Sequence, residues 1–389
     1  MLIRKNILSL VMVSMLLLTG ILIFVGCSAE VDDKKEEVEL AGADIVVPGD
    51  YESIQDAIDS ADNNDVIEVE PGTYEENIDF GGKDIKLRST NPYDDEIVKD
   101  TIIDGSGNGA VVAFQNQEQE AVIKGFTIKE GSGETIEPVG SEIIAGGGIF
   151  VYDGASPTIS NNIISENSSQ FGAGIYVGDS QVDIKDNMIS NNQADDVGGA
   201  ISAGVGSEVF VDNNIIEENS AEEWAGGISV SDSNAVIKNN NINENSINAT
   251  RLGGGGVTVT NSDIELENND IYKNSSDYKG GGVLVASSDA LINENTIDEN
   301  TAEHDGGALA VSGSNVTLKN NNLNENSSKR RGGGIYVYGQ SNISLEDNVI
   351  NNNKAGAGFD GGGIYVQDSE VILETNTIDD NEPDNVYEE

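Results

Sequence analysis

The sequence predicts an all-β single-stranded solenoid, a parallel β-helix with a short N-terminal capping helix. Three observations predict it. A glycine phrase followed by an aliphatic residue recurs in nine copies, at Ile149, Ile175, Ile201, Ile228, Val257, Val283, Leu309, Ile335 and Ile364. The steps between them are 26, 26, 27, 29, 26, 26, 26 and 29 residues, and a near-fixed period of this length marks stacked repeats. After each phrase come short runs of period two: Ile175 and Val177 around Tyr176, Val182 and Ile184 around Asp183. These runs are too short, and too often broken by Gly, Asn and Asp, to be helices. The third observation is a pair of asparagine columns. One is Asn162, Asn187, Asn214, Asn240, Asn269, Asn295, Asn321, Asn348 and Asn376; the other is Asn167, Asn192, Asn219, Asn245, Asn274, Asn300, Asn326, Asn353 and Asn381.

Strands this short gain stability only when each coil pairs in parallel with the next. Stacking makes three apolar columns continuous: the Ile149 column, the column of Val151, Val177, Val230, Val259 and Val285, and the column of Ile164, Ile189, Ile216, Ile242 and Ile271. The asparagines are expected at left-handed turns, which Asn tolerates. Each amide can also donate to one neighbouring rung and accept from the other, so both columns are expected to be structural ladders. A triple glycine at a phosphate site precedes a helix; here a strand follows, which excludes phosphate binding. The glycines are expected to allow tight corners and close coil stacking.

In chain order, Arg4 and Lys5 precede an uncharged, mostly apolar run, Ile7 to Val25, that ends in Gly26-Cys27-Ser28. This resembles a bacterial or archaeal lipoprotein signal, which implies that residues 1–26 are removed and that Cys27 takes the lipid. An uncleaved membrane helix is the competing reading. Cys27 is the only cysteine, so no intrachain disulfide forms. Residues 27–44 are acidic and poor in large apolar residues, and read as a flexible tether. The solenoid is expected over 45–381, with the nine repeats in 146–381 and an acidic tail at 382–389.

Ser53 caps an expected helix from Ile54 to Ala61, with Ile54, Ala57, Ile58 and Ala61 on one face. The run from Ser53 through Pro71-Gly72-Thr73-Tyr74 to Ile78 resembles the N-terminal cap and first coil of right-handed parallel β-helix proteins, a group that includes pectin-degrading enzymes. Ile102-Ile103-Asp104-Gly105 and Ile123 to Ile128 look like strands of the next coils in that group. Residues 131–145 fit no repeat and are expected to form an inserted surface loop. The repeats also resemble those of chlamydial polymorphic outer-membrane proteins: Gly198-Gly199-Ala200-Ile201 matches one motif, and Ile164-Ser165-Glu166-Asn167 matches the other with Ile in place of Phe. Both resemblances imply the fold and leave the activity open.

With 69 acidic and 20 basic residues the net charge is −49, which excludes a nucleic-acid-binding footprint and disfavours anionic membrane surfaces. The membrane is therefore approached through the lipid alone, and oligomeric state is not readable. Function is expected where the copies differ, in the turn before each glycine phrase. Stacking aligns these turns along one edge carrying Phe171, Glu222, Glu223, Trp224, Arg251, Tyr278, His304, Asp305 and Arg331. Rings that stack on sugars, beside groups that orient hydroxyls or uronates, suit a polysaccharide or cell-surface glycan. The competing reading is a row of solvated turns.

No residue is predicted to be catalytic. A glycosidase needs two carboxylates at a set separation, and so many acids make chance pairs. A pectate-type lyase would use acids that hold calcium and an Arg or Lys base, but the arginine-rich signature of that family is absent, as are the polygalacturonase motifs. Copper prefers His, Cys and Met, and the mature chain has one His, Met188 and Cys27. No cofactor or metal ligand set is predicted, although oxygen ligands leave calcium open. The expected function is a non-catalytic surface or periplasmic lipoprotein that binds glycan or serves in adhesion. The alternative is a lyase or hydrolase of acidic polysaccharide.

Overall fold

The computed structural model describes residues 42–137, 142–248 and 253–389. The lipoprotein signal, Cys27, most of the expected tether and Arg251 lie outside these residues. Each full coil contributes four strands. In one coil they are Ile175–Val177, Gln181–Lys185, Met188–Ser190 and Gln193–Val197. We name the sheets they build I, II, III and IV; these have 12, 13, 12 and 9 strands. All neighbouring strands are parallel except the first pair of sheet IV. The register is residue on equivalent residue: Ile149 on Ile175 on Ile201 in sheet I, Ile164 on Ile189 on Ile216 in sheet III. The expected apolar columns are therefore the core, with Ile149, Val177, Ile189, Val259 and Ile335 all 0% exposed. The first coils also place Phe80, Phe114 and Phe126 in this core.

The capping helix runs Ile54–Ser60, and the Ser53 side chain accepts the Asp56 N–H as its cap. Ile54, Ala57 and Ile58 are buried with Val47 and Ile67 in the core. Asp44 belongs to the folded body: its carboxylate accepts the Val66 N–H and its own N–H reaches the Val66 carbonyl. A second helix, Asp95–Asp100, capped by Asp94, is too short to leave a periodic signal in the sequence.

Both asparagine columns are ladders. Within each, Oδ1 accepts the backbone N–H and the Nδ2–H of the asparagine one coil earlier, as Asn300 does from Asn274 at 3.0 and 3.0 Å. Nδ2 also donates to a carbonyl of the preceding coil, as Asn274 does to Ile242 at 2.8 Å. The turn expectation needs correcting by one position. The left-handed residue is the one before each rung, such as Asn213 before Asn214 or Lys273 before Asn274, with φ near +56°. That twist aims the following amide inward, where it replaces the water its coil corner would otherwise need. A third ladder went unread: Ser207, Ser233, Ser262, Ser288, Ser314 and Ser341 each donate a backbone N–H to the next serine Oγ, ending on Ser369.

Two expectations about irregular segments change. Part of the expected insertion, Glu134–Ile136 and Ile143–Ala145, forms an antiparallel pair that starts sheet IV, with Ala145 in register with Phe171. The tail continues the solenoid: Val386–Glu388 pairs with Ile364–Val366. Asn385 Oδ1 accepts from Asn381 N and Nδ2, which adds one more rung to the second ladder.

Candidate functional site

The site arises because sheet IV turns back against the outer side of sheet I. Outward residues of an exposed sheet meet water, but this column does not. Phe150, Tyr176, Ser202, Ser229, Thr258, Leu284, Ala310, Tyr336 and Tyr365 all lie at 6% exposure or less. The first glycine of most phrases rests on it with positive φ. A Cβ on Gly172 would lie 2.8 Å from Tyr176 Cα, and one on Gly332 would lie 3.0 Å from Tyr336 Cβ. The outward column is thus covered along the rod by the glycine corners, with the turns before the glycines along its edge.

Near the N-terminal end of this edge a cleft of about 860 Å3 opens. Phe171, Trp224, Tyr152 and Tyr176 supply rings, and Asp179, Asp196 and Glu223 supply carboxylates. Sheet IV fixes the wall: Val197 bridges to Trp224, and the Asp196 carbonyl accepts the N–H groups of Glu223 and Trp224 at 2.9 and 3.2 Å. Tyr176 stacks on Phe150 at 5.9 Å with planes 7° apart, and burial pushes its hydroxyl pKa up to about 12, so it stays a neutral donor. Burial, followed by the nearby Glu223 and Asp195 carboxylates, raises the Asp196 pKa above the usual range.

A raised folded value means that folding holds this proton more tightly. The resulting stability is present below the unfolded pKa, about 3.9, and is lost as pH rises through the folded value. Asp196→Asn, which mimics the protonated acid, is therefore expected to gain thermal stability over the parent progressively from acid to neutral pH. A difference in melting temperature that does not grow with pH contradicts this.

Further along, a second cluster gathers Tyr278, His304, Asp305 and Arg331. Tyr278 and His304 rings lie 4.6 Å apart, and Arg331 N–H donates to Asp305 Oδ1 at 3.2 Å. Lys279, from the same row of turns though not among the candidate residues, belongs to this cluster. Its ammonium lies 3.9 Å from Asp305 Oδ2 and faces the rings of Tyr338, Tyr336 and Tyr278 at 3.9, 5.0 and 5.3 Å. Burial lowers its pKa; Asp305 opposes that shift, and Arg330 and Arg331 add to it. Asp305 itself is 4% exposed.

Of the predicted edge residues, Phe171, Glu223 and Trp224 thus meet in the cleft, and Tyr278, His304, Asp305 and Arg331 meet in the second cluster. Glu222 is exposed and does not line the cleft. Asp196 and Lys279, from the same row of turns, join the site beside the candidate residues, and Tyr152, Tyr176 and Tyr336 join it unpredicted; Tyr176 and Tyr336 occupy the same place after their glycines, a signal available in the sequence. A separate depression of about 760 Å3 runs over the outside of sheet II, past Phe210, Val236, Leu291 and Ile372. It has one ring and no cation. Among the described residues, no group of three or more His, Cys, Asp or Glu side chains is arranged to hold a metal ion, and no helix is long and apolar enough to cross a membrane.

Similarity to known proteins follows the fold. The A-module of the mannuronan C-5 epimerase AlgE4 from Azotobacter vinelandii is 17% identical, with a TM-score of 0.52 over 90% of this chain and 97% of that one. Tailspike protein 2 of an Escherichia coli O157:H7 bacteriophage is 11% identical, with a TM-score of 0.50 over 85% of this chain and 46% of that one. An α-1,3-glucanase catalytic unit from Streptomyces thermodiastaticus is more distant, at 11% identity and a TM-score of 0.34 over 83% of this chain and 65% of that one. These likenesses are of fold. No curated protein sequence matches at a significant level. The family described as right handed beta helix region matches residues 94–296 and 226–387, most of the solenoid, and the chain belongs to that family.

Proposed function

We propose that this protein is an exported rod, lipid-anchored through Cys27, that binds a polysaccharide along the groove between sheets I and IV. The observation that carries the reading is the cleft itself: four aromatic side chains with three carboxylates, on a floor held rigid by stacked strands. Rings offer flat apolar surface to sugar faces, and carboxylates and the Tyr176 hydroxyl offer acceptors and a donor to sugar hydroxyls. Polymer-acting proteins among the structural neighbours agree with this use of the fold, although fold does not carry function.

The test is affinity electrophoresis of the soluble form from Ser28 onward through gels containing neutral or acidic polysaccharides. At least one is expected to retard the parent, with Trp224→Ala weakening the effect about tenfold, or ~1.4 kcal/mol. If no polysaccharide in the panel retards the parent, the reading fails. In the full-length protein, Cys27→Ser is expected to move the rod from the membrane fraction to the soluble fraction.

One observation favours the catalytic alternative: Asp196 has a raised pKa beside Glu223, the combination an acid catalyst uses. The same mixtures are therefore followed for loss of polymer size. Depolymerisation abolished by Asp196→Asn would replace binding with hydrolysis or elimination.

A further inference from the structure

The row of turns along this edge changes sign along its length. The cleft around Trp224 presents Asp179, Asp196 and Glu223. Two to four coils on, the turns of three consecutive coils carry Lys279, His304, Lys329, Arg330 and Arg331, a concentration of cations in a chain with 20 basic against 69 acidic residues. At the spacing of paired strands the two ends lie roughly 19 Å apart.

The cations are not equivalent. Lys329 is exposed and paired with Glu303. Lys279 is enclosed by tyrosines and faces Asp305. Arg330 and Arg331 have no carboxylate within ion-pair distance among the described residues. They are held by other means: Arg330 lies 5.7 Å from the Phe359 ring with Nη1 3.4 Å from His304 Nδ1, and Arg331 lies 5.2 Å from the Tyr365 ring with Nη1 3.4 Å from Gln367 Oε1. Asp305 attracts the Arg331 guanidinium from beyond ion-pair distance and is itself engaged by the Arg331 backbone N–H and by Lys279. Two guanidinium groups positioned on rings without a carboxylate are prepared for an external planar or tetrahedral anion.

We propose that Arg330 and Arg331 form a subsite for a single anionic substituent, carboxylate or sulfate ester, on an otherwise uncharged glycan. This rests on the groove reading and narrows its ligand. A polymer charged at every sugar meets the carboxylates around Trp224, where like charges repel. A neutral polymer leaves the guanidinium groups unused. A glycan that carries one acid per repeat of several sugars satisfies both ends.

Two native reporters read the ends separately, because Trp224 is the only tryptophan and His304 the only histidine. The soluble form is titrated with dextran, polygalacturonate and gellan, whose repeat carries one uronate. Trp224 fluorescence reports the cleft, and the His304 ring proton signals in NMR report the basic cluster. Gellan is expected to move both signals and to bind at least tenfold more tightly than either other polymer. Arg330→Gln with Arg331→Gln is expected to remove that advantage while leaving dextran binding unchanged, and Lys329→Gln is expected to keep it. Glucuronate and glucose 6-sulfate, used alone, show which anion moves His304. The subsite is overturned if neither monomer moves His304, if the double variant binds gellan like the parent, or if polygalacturonate binds best. Silence of Trp224 toward every polymer instead sinks the groove reading, and the monomer titration of His304 still decides the subsite. Unchanged circular dichroism and retained dextran binding show that the double variant is folded.

Discussion

Asn274→Ala is expected to open the middle of the rod. Asn274 is 0% exposed, and its side chain takes part in four hydrogen bonds. It accepts from Asn245 N and Nδ2 at 3.0 and 3.1 Å, and donates to Asn300 Oδ1 and the Ile242 carbonyl at 3.0 and 2.8 Å. Alanine removes all four and supplies nothing in return. The Asn245 backbone N–H is left facing a dry interior, and an unsatisfied buried group costs about 1–3 kcal/mol. With the Ile242 carbonyl and two amide groups also weakened, the loss is expected to be on the order of 3 kcal/mol or more.

Because coils contact only their neighbours, the damage is expected to be local before it is global. Native-state hydrogen exchange should show the amides of Asn245, Asn274 and the flanking strands losing protection, while those of the capping helix keep theirs. The same change at Asn376, a half-buried end rung, should cost less. Equal protection in parent and Asn274→Ala would show that the ladder contributes no net stability.

The features legible in the sequence were those that repeat with distinctive chemistry. Isoleucine and valine at fixed places announce a core column because burial selects them in every coil. Asparagine at both corners announces a ladder because its carboxamide can donate and accept along the rod at once. Sheet IV was not legible. Its strands are as short as Ser220–Ala221, Ser246–Ile247 and Ser275–Ser276, pieces with no alternation to read and a composition typical of turns. The serine ladder was hidden for the same reason.

This omission shaped the site. Without sheet IV, Tyr176, Tyr336 and Tyr365 alternate with core residues and read as solvent-facing. In the folded chain they are nearly inaccessible, and of the three Tyr176 lines the cleft. Lys279 falls in the expected row of turns, but its enclosure is not legible there, because a lysine in a turn is usually solvated and Tyr336 and Tyr338 come from a strand of a later coil. Arg251 is expected on the same edge and lies outside the described residues.

The second large effect is expected at Gly281, and it separates two roles that glycine plays here. Gly281 has no positive φ, so alanine meets no backbone strain there and would restrict the unfolded chain, a change commonly worth about 0.4–1 kcal/mol in favour of folding. Packing decides otherwise. A Cβ would lie 2.4 Å from the carbonyl oxygens of Gly307 and Thr301 and 2.6 Å from Thr301 carbon, all backbone atoms of the following coil. No rotamer change relieves a clash with backbone. The coils must separate, and separation lengthens the strand pairing on both sides of the turn. Overpacking a close interior costs about 1–3 kcal/mol even where side chains can yield, so Gly281→Ala is expected to lose at least that, measured as a fall in urea midpoint. Gly49 supplies the comparison: it too has no positive φ, and the nearest atom to an added Cβ is Val46 Cγ1 at 3.4 Å, an ordinary contact. Gly49→Ala is therefore expected to be neutral or slightly stabilising. If the two variants unfold at the same urea concentration, close coil approach is not the reason for the recurring glycines, and the positive-φ corner at Gly280 would have to account for them alone.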